Sequence, residues 1–244
     1  MMLKSLPKPV RQLLSVPFLF SALIFWGGSL SVAGQANGFG IKIGPTMGLQ
    51  KWGGGSQRDP LFRYHIALFA DSESSDSKNV IYGQLGYHVK GGAVRVSYFY
   101  DINGNRYPGS TYAMEFHNLS LDLGLKRFIK KGKWAPYYAI GLRGEYTLKT
   151  ELELYQELDE WTRRWNYGVS VKLGTEITFN RLVHGGFELN LAPDLSKQVY
   201  IPASIRRLNP WTNQPEPGYE QSTVNTSVEL SFYLRFMQII EYVE

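Results

Sequence analysis

The stretch 137–155 carries Tyr138, Ile140, Leu142, Gly144, Tyr146, Leu148, Thr150, Leu152 and Leu154 at even positions, and Arg143, Glu145, Lys149, Glu151 and Glu153 at odd ones. Every charge is on one face. Successive side chains of a strand point to opposite sides of its sheet, so a period of two marks a strand with two unlike faces. The stretch is also long, since strands of soluble domains run to about 5–6 residues.

The same division recurs. In 221–236, Val224, Val228, Leu230, Phe232, Leu234 and Phe236 oppose Asn225, Ser227, Glu229, Ser231, Tyr233 and Arg235. In 165–179 the apolar face from Trp165 to Phe179 opposes Asn166, Ser170, Lys172 and Glu176; in 39–50 Phe39, Ile41, Ile43, Met47 and Leu49 oppose Lys42, Thr46 and Gln50; in 186–194 Phe187, Leu189 and Leu191 oppose Glu188, Asn190 and Asp194. Strands over 61–70, 79–98 and 112–127 read less cleanly. Ile81, Leu85, Tyr87 and Val89 oppose Gln84 and His88, after which Gly91-Gly92 breaks the register and reads as a bulge. In 112–127 the pattern changes near His117, beyond which Leu119, Leu121, Leu123 and Leu125 oppose Ser120, Asp122 and Lys126.

These segments predict eight strands. Their connections alternate between short (near 71–78, 128–133 and 180–183) and long (near 51–60, 100–111, 155–162 and 196–221). A hydrocarbon layer is crossed by about 9–11 tilted strand residues. Lipid offers no hydrogen bonds, so a sheet within it must close on itself. The expected fold is therefore an all-β, eight-stranded, antiparallel up-and-down transmembrane β-barrel over residues 38–244, with short turns on one side and long loops on the other. A mean hydropathy of −0.23 argues against a bundle of spanning helices.

Residues 1–34 read as a cleaved signal peptide. Lys4, Lys8 and Arg11 precede an apolar stretch from Leu13 to Trp26, and small residues (Ser29, Ser31, Ala33, Gly34 and Ala36) follow. Export and a barrel together place the chain in the outer membrane of a Gram-negative bacterium. The absence of cysteine excludes disulfides and a lipidated N-terminal cysteine. A net charge of +5, with bases scattered among acids, does not suit a nucleic-acid binder.

The strands resemble the PorT-like outer-membrane β-barrel domain family over roughly 38–236. The resemblance is carried by the order and spacing of Gly40-Ile41-Lys42-Ile43-Gly44, Gln84-Leu85-Gly86-Tyr87-His88-Val89-Lys90-Gly91-Gly92, Tyr138-Ala139-Ile140-Gly141-Leu142-Arg143-Gly144, Gly186-Phe187-Glu188-Leu189-Asn190-Leu191 and Val228-Glu229-Leu230-Ser231-Phe232. It implies an outer-membrane location and an eight-stranded barrel. It does not imply one activity.

The polar faces place Lys42, Asp122, Arg143, Glu145, Lys172, Glu176, Glu188, Glu229 and Arg235 in the lumen. An eight-stranded barrel has just enough interior for its own side chains. The expectation is a salt-bridged plug rather than a pore or a catalytic pair of carboxylates. His117 and Ser120, the one Ser–His pair that suggests a lipid-cleaving barrel, fall on opposite faces of a regular strand. His65, His88 and His184 lack ligand spacing, and the Ser-rich stretch 71–78 reads as a solvated turn with at most weak calcium affinity. No cofactor, metal site or catalytic residue is expected.

The chain thus reads as a non-enzymatic barrel with a structural or binding role, or as an accessory of a secretion or uptake system. The alternative is a barrel enzyme acting on lipid or glycan. Expected partners are outer-membrane lipid, the barrel-assembly machinery and a protein at the outer loops. The proline-rich loop 196–221, with Pro202, Pro210, Trp211, Pro215 and Pro217, is the expected contact surface.

Overall fold

The computed structural model describes residues 35–53, 58–74, 78–153, 155–203, 207–208, 214–216, 218 and 220–239. The expected signal peptide lies outside the described residues, as do Pro210, Trp211 and Pro217 of the proline-rich loop.

Eight long strands follow one another: β1 (Gln35–Trp52), β2 (Asp59–Ser74), β3 (Asn79–Arg95), β4 (Thr111–Phe128), β5 (Trp134–Leu152), β6 (Trp165–Thr178), β7 (Val183–Pro193) and β8 (Gln221–Ile239). Each pairs antiparallel with the next, and β8 pairs with β1, closing the ring. The β1–β8 seam is continuous over most of its length, from Ala36↔Ile239 to Trp52↔Thr223. Closure leaves no sheet edge with unpaired backbone groups, which is the condition for a sheet in lipid. Among the described residues no helix is long and apolar enough to cross a membrane.

The outward face is apolar. Leu142 (67% exposed), Ile140, Leu125 and Leu68 are uncovered nearer the waist. Aromatic residues flank them: Phe39, Tyr138 and Phe179 toward the short turns, and Tyr64, Tyr146 and Tyr167 toward the long loops. A face of this kind is unstable in water and suits a bilayer, with aromatic rings at its two interfaces.

Four local readings need correction. The Gly91-Gly92 pair does not break the β3–β4 ladder, which runs unbroken from Asn79↔Arg127 to Arg95↔Thr111. The interruption is on the other side, where β2 and β3 lose register between Pro60 and His65. There β3 bends inward, and Val89, expected on the lipid face, is 1% exposed. Second, β3 ends at Arg95; Tyr98–Tyr100 pairs instead with Arg106–Pro108 in a separate hairpin. At its tip Asp101 accepts hydrogen bonds from Asn103 and Asn105, and those from Asn105 hold its carboxyl below the usual carboxylate range. Third, β4 keeps one parity throughout, with Met114, Phe116, Asn118, Ser120 and Asp122 all inward. The change near His117 is in the chemistry of the inner wall, not in the facing. Fourth, the β4–β5 ladder pairs His117 with Lys149 but Asn118 with Thr147, so Leu148 is an extra residue on β5. Beyond it the parity of β5 inverts: Leu152 turns inward, while Lys149 and Glu151, expected in the lumen, are exposed outside.

Candidate functional site

The lumen holds six buried bases (Lys42, Lys90, Lys126, Arg143, Lys172 and Arg235) and seven buried acids (Asp71, Asp122, Glu145, Glu176, Glu188, Asp194 and Glu229) among the described residues. All nine residues expected there from the sequence are among them. Near-equal numbers of opposite charges are what a low-dielectric interior tolerates, because an unpaired buried charge is costly.

The charges lie in tiers. Toward the short turns, Arg235 of β8 donates to Asp71 at 2.7 Å and to Glu176 at 3.0 Å. Lys126 donates to Glu176 at 3.3 Å, and His184 lies 2.7 Å from the same carboxylate. Asp71 is therefore buried at the end of β2, not solvated in a turn. At mid-height Lys42 donates to Glu188 at 2.6 Å, Tyr137 donates to the other Glu188 oxygen at 2.8 Å, and Lys172 meets Asp122 at 2.8 Å. Aromatic rings fill the space between: the Lys172 ammonium is 4.3 Å from the Tyr82 ring centre, and Lys126 is 4.5 Å from that of Tyr137. The cavity enclosed among Lys42, Tyr82, Lys126, Tyr137, Glu188 and Tyr233 measures about 10 Å³, no more than the space of one water.

Above them Arg143 meets Glu229 at 2.7 Å and Glu145 at 2.8 Å. It also lies 2.6 Å from His88 Nδ1. A guanidinium only donates, so His88 Nδ1 accepts and its proton is on Nε2, facing Glu145 at 3.4 Å. Lys90 bridges Glu145 and Asp194, reaching the latter at 2.5 Å. Lys90, Lys126, Asp71 and Asp194 were not in the expected set. Lys90 keeps the parity of Gln84 and His88, so plain alternation delivers it to the lumen; reading a register break at Gly91-Gly92 hides this. His65 is also inside, between Thr46 Oγ1 (3.0 Å) and Ser231 Oγ (2.8 Å).

Toward the long loops the charges give way first to neutral polar groups and then to apolar ones. Thr147 donates to Asn118 at 2.8 Å, and the Gln198 amide donates to Thr147 at 3.0 Å. Over these lies a cluster of Trp52, Met114, Phe116, Leu152, Leu158, Val199 and Ile201. Leu158 comes from a short 3-10 helix (Gln156–Trp161), and Val199 and Ile201 from a three-residue strand paired with β8. The start of the 196–221 loop is thus folded into the barrel mouth, rather than being contact surface as expected. The bend of β3 adds to this closure: a Cβ at Gly48 would come within 2.7 Å of the Gly91 backbone, and one at Gly92 within 2.9 Å of Gln50 Cβ, so glycines allow β1 and β3 to approach closely.

His117 and Ser120 do not meet. Ser120 is inside and donates to the Gly86 carbonyl at 3.3 Å, while His117 is outside against Tyr87.

No family model matches the chain, and no curated protein matches it. Solved structures do. Neisserial surface protein A is 10% identical, with 81% of this chain and 96% of that one covered and a TM-score of 0.41. The attachment invasion locus protein Ail of Yersinia pestis, solved in complex with the heparin analogue sucrose octasulfate, is 12% identical, with 82% and 99% covered and a TM-score of 0.39. The outer-membrane protease OmpT of Escherichia coli is 6% identical, with 86% and 99% covered and a TM-score of 0.43. At such identities the ligand of one and the protease activity of another belong to those proteins.

Proposed function

We propose that this chain is an integral outer-membrane barrel, PorT-like in kind, whose lumen is plugged by its own side chains and which acts through its outer loops, without catalysing a reaction. The carrying observation is the interior itself: six bases and seven acids engage one another in tiers, beneath a cluster of apolar side chains at the mouth. A porin-like path needs a continuous wet column, and an enzyme needs a substrate-sized void beside its acid and base. The carboxylates here are each engaged by lysine, arginine or tyrosine, and the cavity beside Asp71 and Glu188 has about the space of one water. Outer-membrane residence follows from the closed sheet and the exposed apolar belt, which lipid alone can cover.

A structural or binding role, or service as an accessory of a secretion or uptake system, leaves the work to the surface at the long-loop end. The hairpin there exposes Tyr100 and Ile102, and outer-membrane lipid covers the belt below. Planar-bilayer recording from purified protein tests the reading. The expected result is no steady conductance of porin size; such a conductance in the wild type would remove the plug and make the protein a channel.

A further inference from the structure

We propose a divalent transition-metal site on the outer wall of the barrel, held by Glu115, His117 and Glu151, with Tyr87 orienting the histidine. The extra residue at Leu148 creates it. By turning the end of β5 over, it sets Glu151 outside and directly opposite Glu115 of β4. Like charges facing across a ladder destabilise it unless a cation lies between them. His117 stands next to this pair. Its Nε2 is 3.6 Å from a Glu151 oxygen and 3.9 Å from a Glu115 oxygen, and it makes no hydrogen bond. One ligand atom from each of the three residues lies within 4.8 Å of the others.

The other ring nitrogen is held: Nδ1 lies 2.6 Å from the Tyr87 hydroxyl. When Nδ1–H donates to that oxygen, Nε2 presents its lone pair to the gap between the carboxylates. Metal-bound histidines are commonly fixed in this way through their second nitrogen. Ligand atoms around a tetrahedral zinc at about 2.0–2.2 Å stand about 3.3 Å apart. The two spacings from Nε2 exceed this by tenths of an ångström, and the carboxylate oxygens lie within 4.8 Å of each other, within reach of a rotation of the exposed Glu151 side chain.

The flanking cations leave room. Arg63 engages one oxygen of Glu115, and the other faces His117. Lys149 holds Glu151 at 2.5 Å but is largely exposed, so a metal displaces it into water at little cost. One imidazole and two carboxylates, with a coordination position left open, suit Zn²⁺ or Co²⁺ better than calcium, which prefers six to eight oxygens.

The test uses the full chain, without an affinity tag, purified in detergent and titrated with Co²⁺, whose visible d–d bands report coordination. The expected result is a saturable band at one Co²⁺ per chain, removed by an equivalent of Zn²⁺ and absent from His117→Asn. Tyr87→Phe keeps all three ligands and weakens binding about 10–100-fold, the usual effect of losing an orienting group. A gel shift on heating verifies that each variant is folded; if His117→Asn is not, Glu151→Gln at its exposed position decides. No saturable band in the wild type, or equal binding in a folded ligand variant, overturns the site.

Discussion

Arg143 of β5 and Glu229 of β8 meet at 2.7 Å across the lumen, although three steps of the strand order separate them. The contact spans the barrel rather than one ladder, and Arg143 also holds Glu145 on its own strand. Replacing Arg143 with Met leaves two buried carboxylates short of a partner. The expected loss is about 3–5 kcal/mol, as for other buried pairs broken from one side. Urea unfolding of the refolded protein in detergent measures it. Adding Glu229→Gln to Arg143→Met should recover part of the loss, because it removes one of the stranded charges.

The lipid face gives a second expectation. Leu142 is 67% exposed at the waist of β5, between the inward Gly141 and Arg143. Leu142→Arg brings a charge to the hydrocarbon mid-plane, at about 2–4 kcal/mol. Assembly into the outer membrane should fall, read as the fraction of folded, heat-modifiable protein. Thr147→Arg, on the inner wall, should be at least as harmful, since Thr147 is fully buried against Asn118 and Gln198. Normal assembly of Thr147→Arg would show spare space at that level.

Gly91 is where one methyl group matters. Its φ is +147°, and a Cβ there would lie 1.8 Å from the Met114 carbonyl oxygen. The conformation alone costs a non-glycine residue about 1–3 kcal/mol, and the clash forces β3 away from β4. Gly91→Ala should therefore lower the unfolding midpoint and withdraw Lys90 from Glu145 and Asp194. Gly104, also at positive φ but with open space around it, is the control: Gly104→Ala bears the strain without the clash.

The ring of strands was readable in the sequence because lumen and lipid ask for opposite chemistry, so every second residue reports its side. The reading fails where that contrast fails. Near the mouth the inner wall is itself apolar, and Met114, Phe116 and Leu152 face the cluster there, so an apolar residue no longer means outward. Lys90 shares the parity of Gln84 and His88 and is legible by the same alternation once Gly91-Gly92 is not read as a break. Asp71 was masked by the serines after it, though β2 runs to Ser74. The Glu115–His117–Glu151 group was invisible because counting by two through Leu148 puts Glu151 on the wrong side. Only the pairing to β4 reveals the slip.

That slip separates the two readings by experiment. Unbroken alternation along β5 places Lys149 and Glu151 in the lumen with Arg143 and Glu145, and Leu152 in lipid. The pairing places Arg143, Glu145 and Thr147 inside, then Lys149 and Glu151 outside, and Leu152 inside again, 6% exposed within the mouth cluster. The chain has no cysteine, so single substitutions give clean reporters. A membrane-impermeant maleimide added to intact cells should label Glu151→Cys and spare Leu152→Cys. A lipid-soluble maleimide should label Leu142→Cys and spare Glu145→Cys. The decisive comparison is Glu151 against Glu145: both are odd-numbered charges on one strand, so strict alternation demands the same labelling of both. Equal protection of the two would place Glu151 in the lumen, remove the bulge at Leu148 and separate Glu151 from His117.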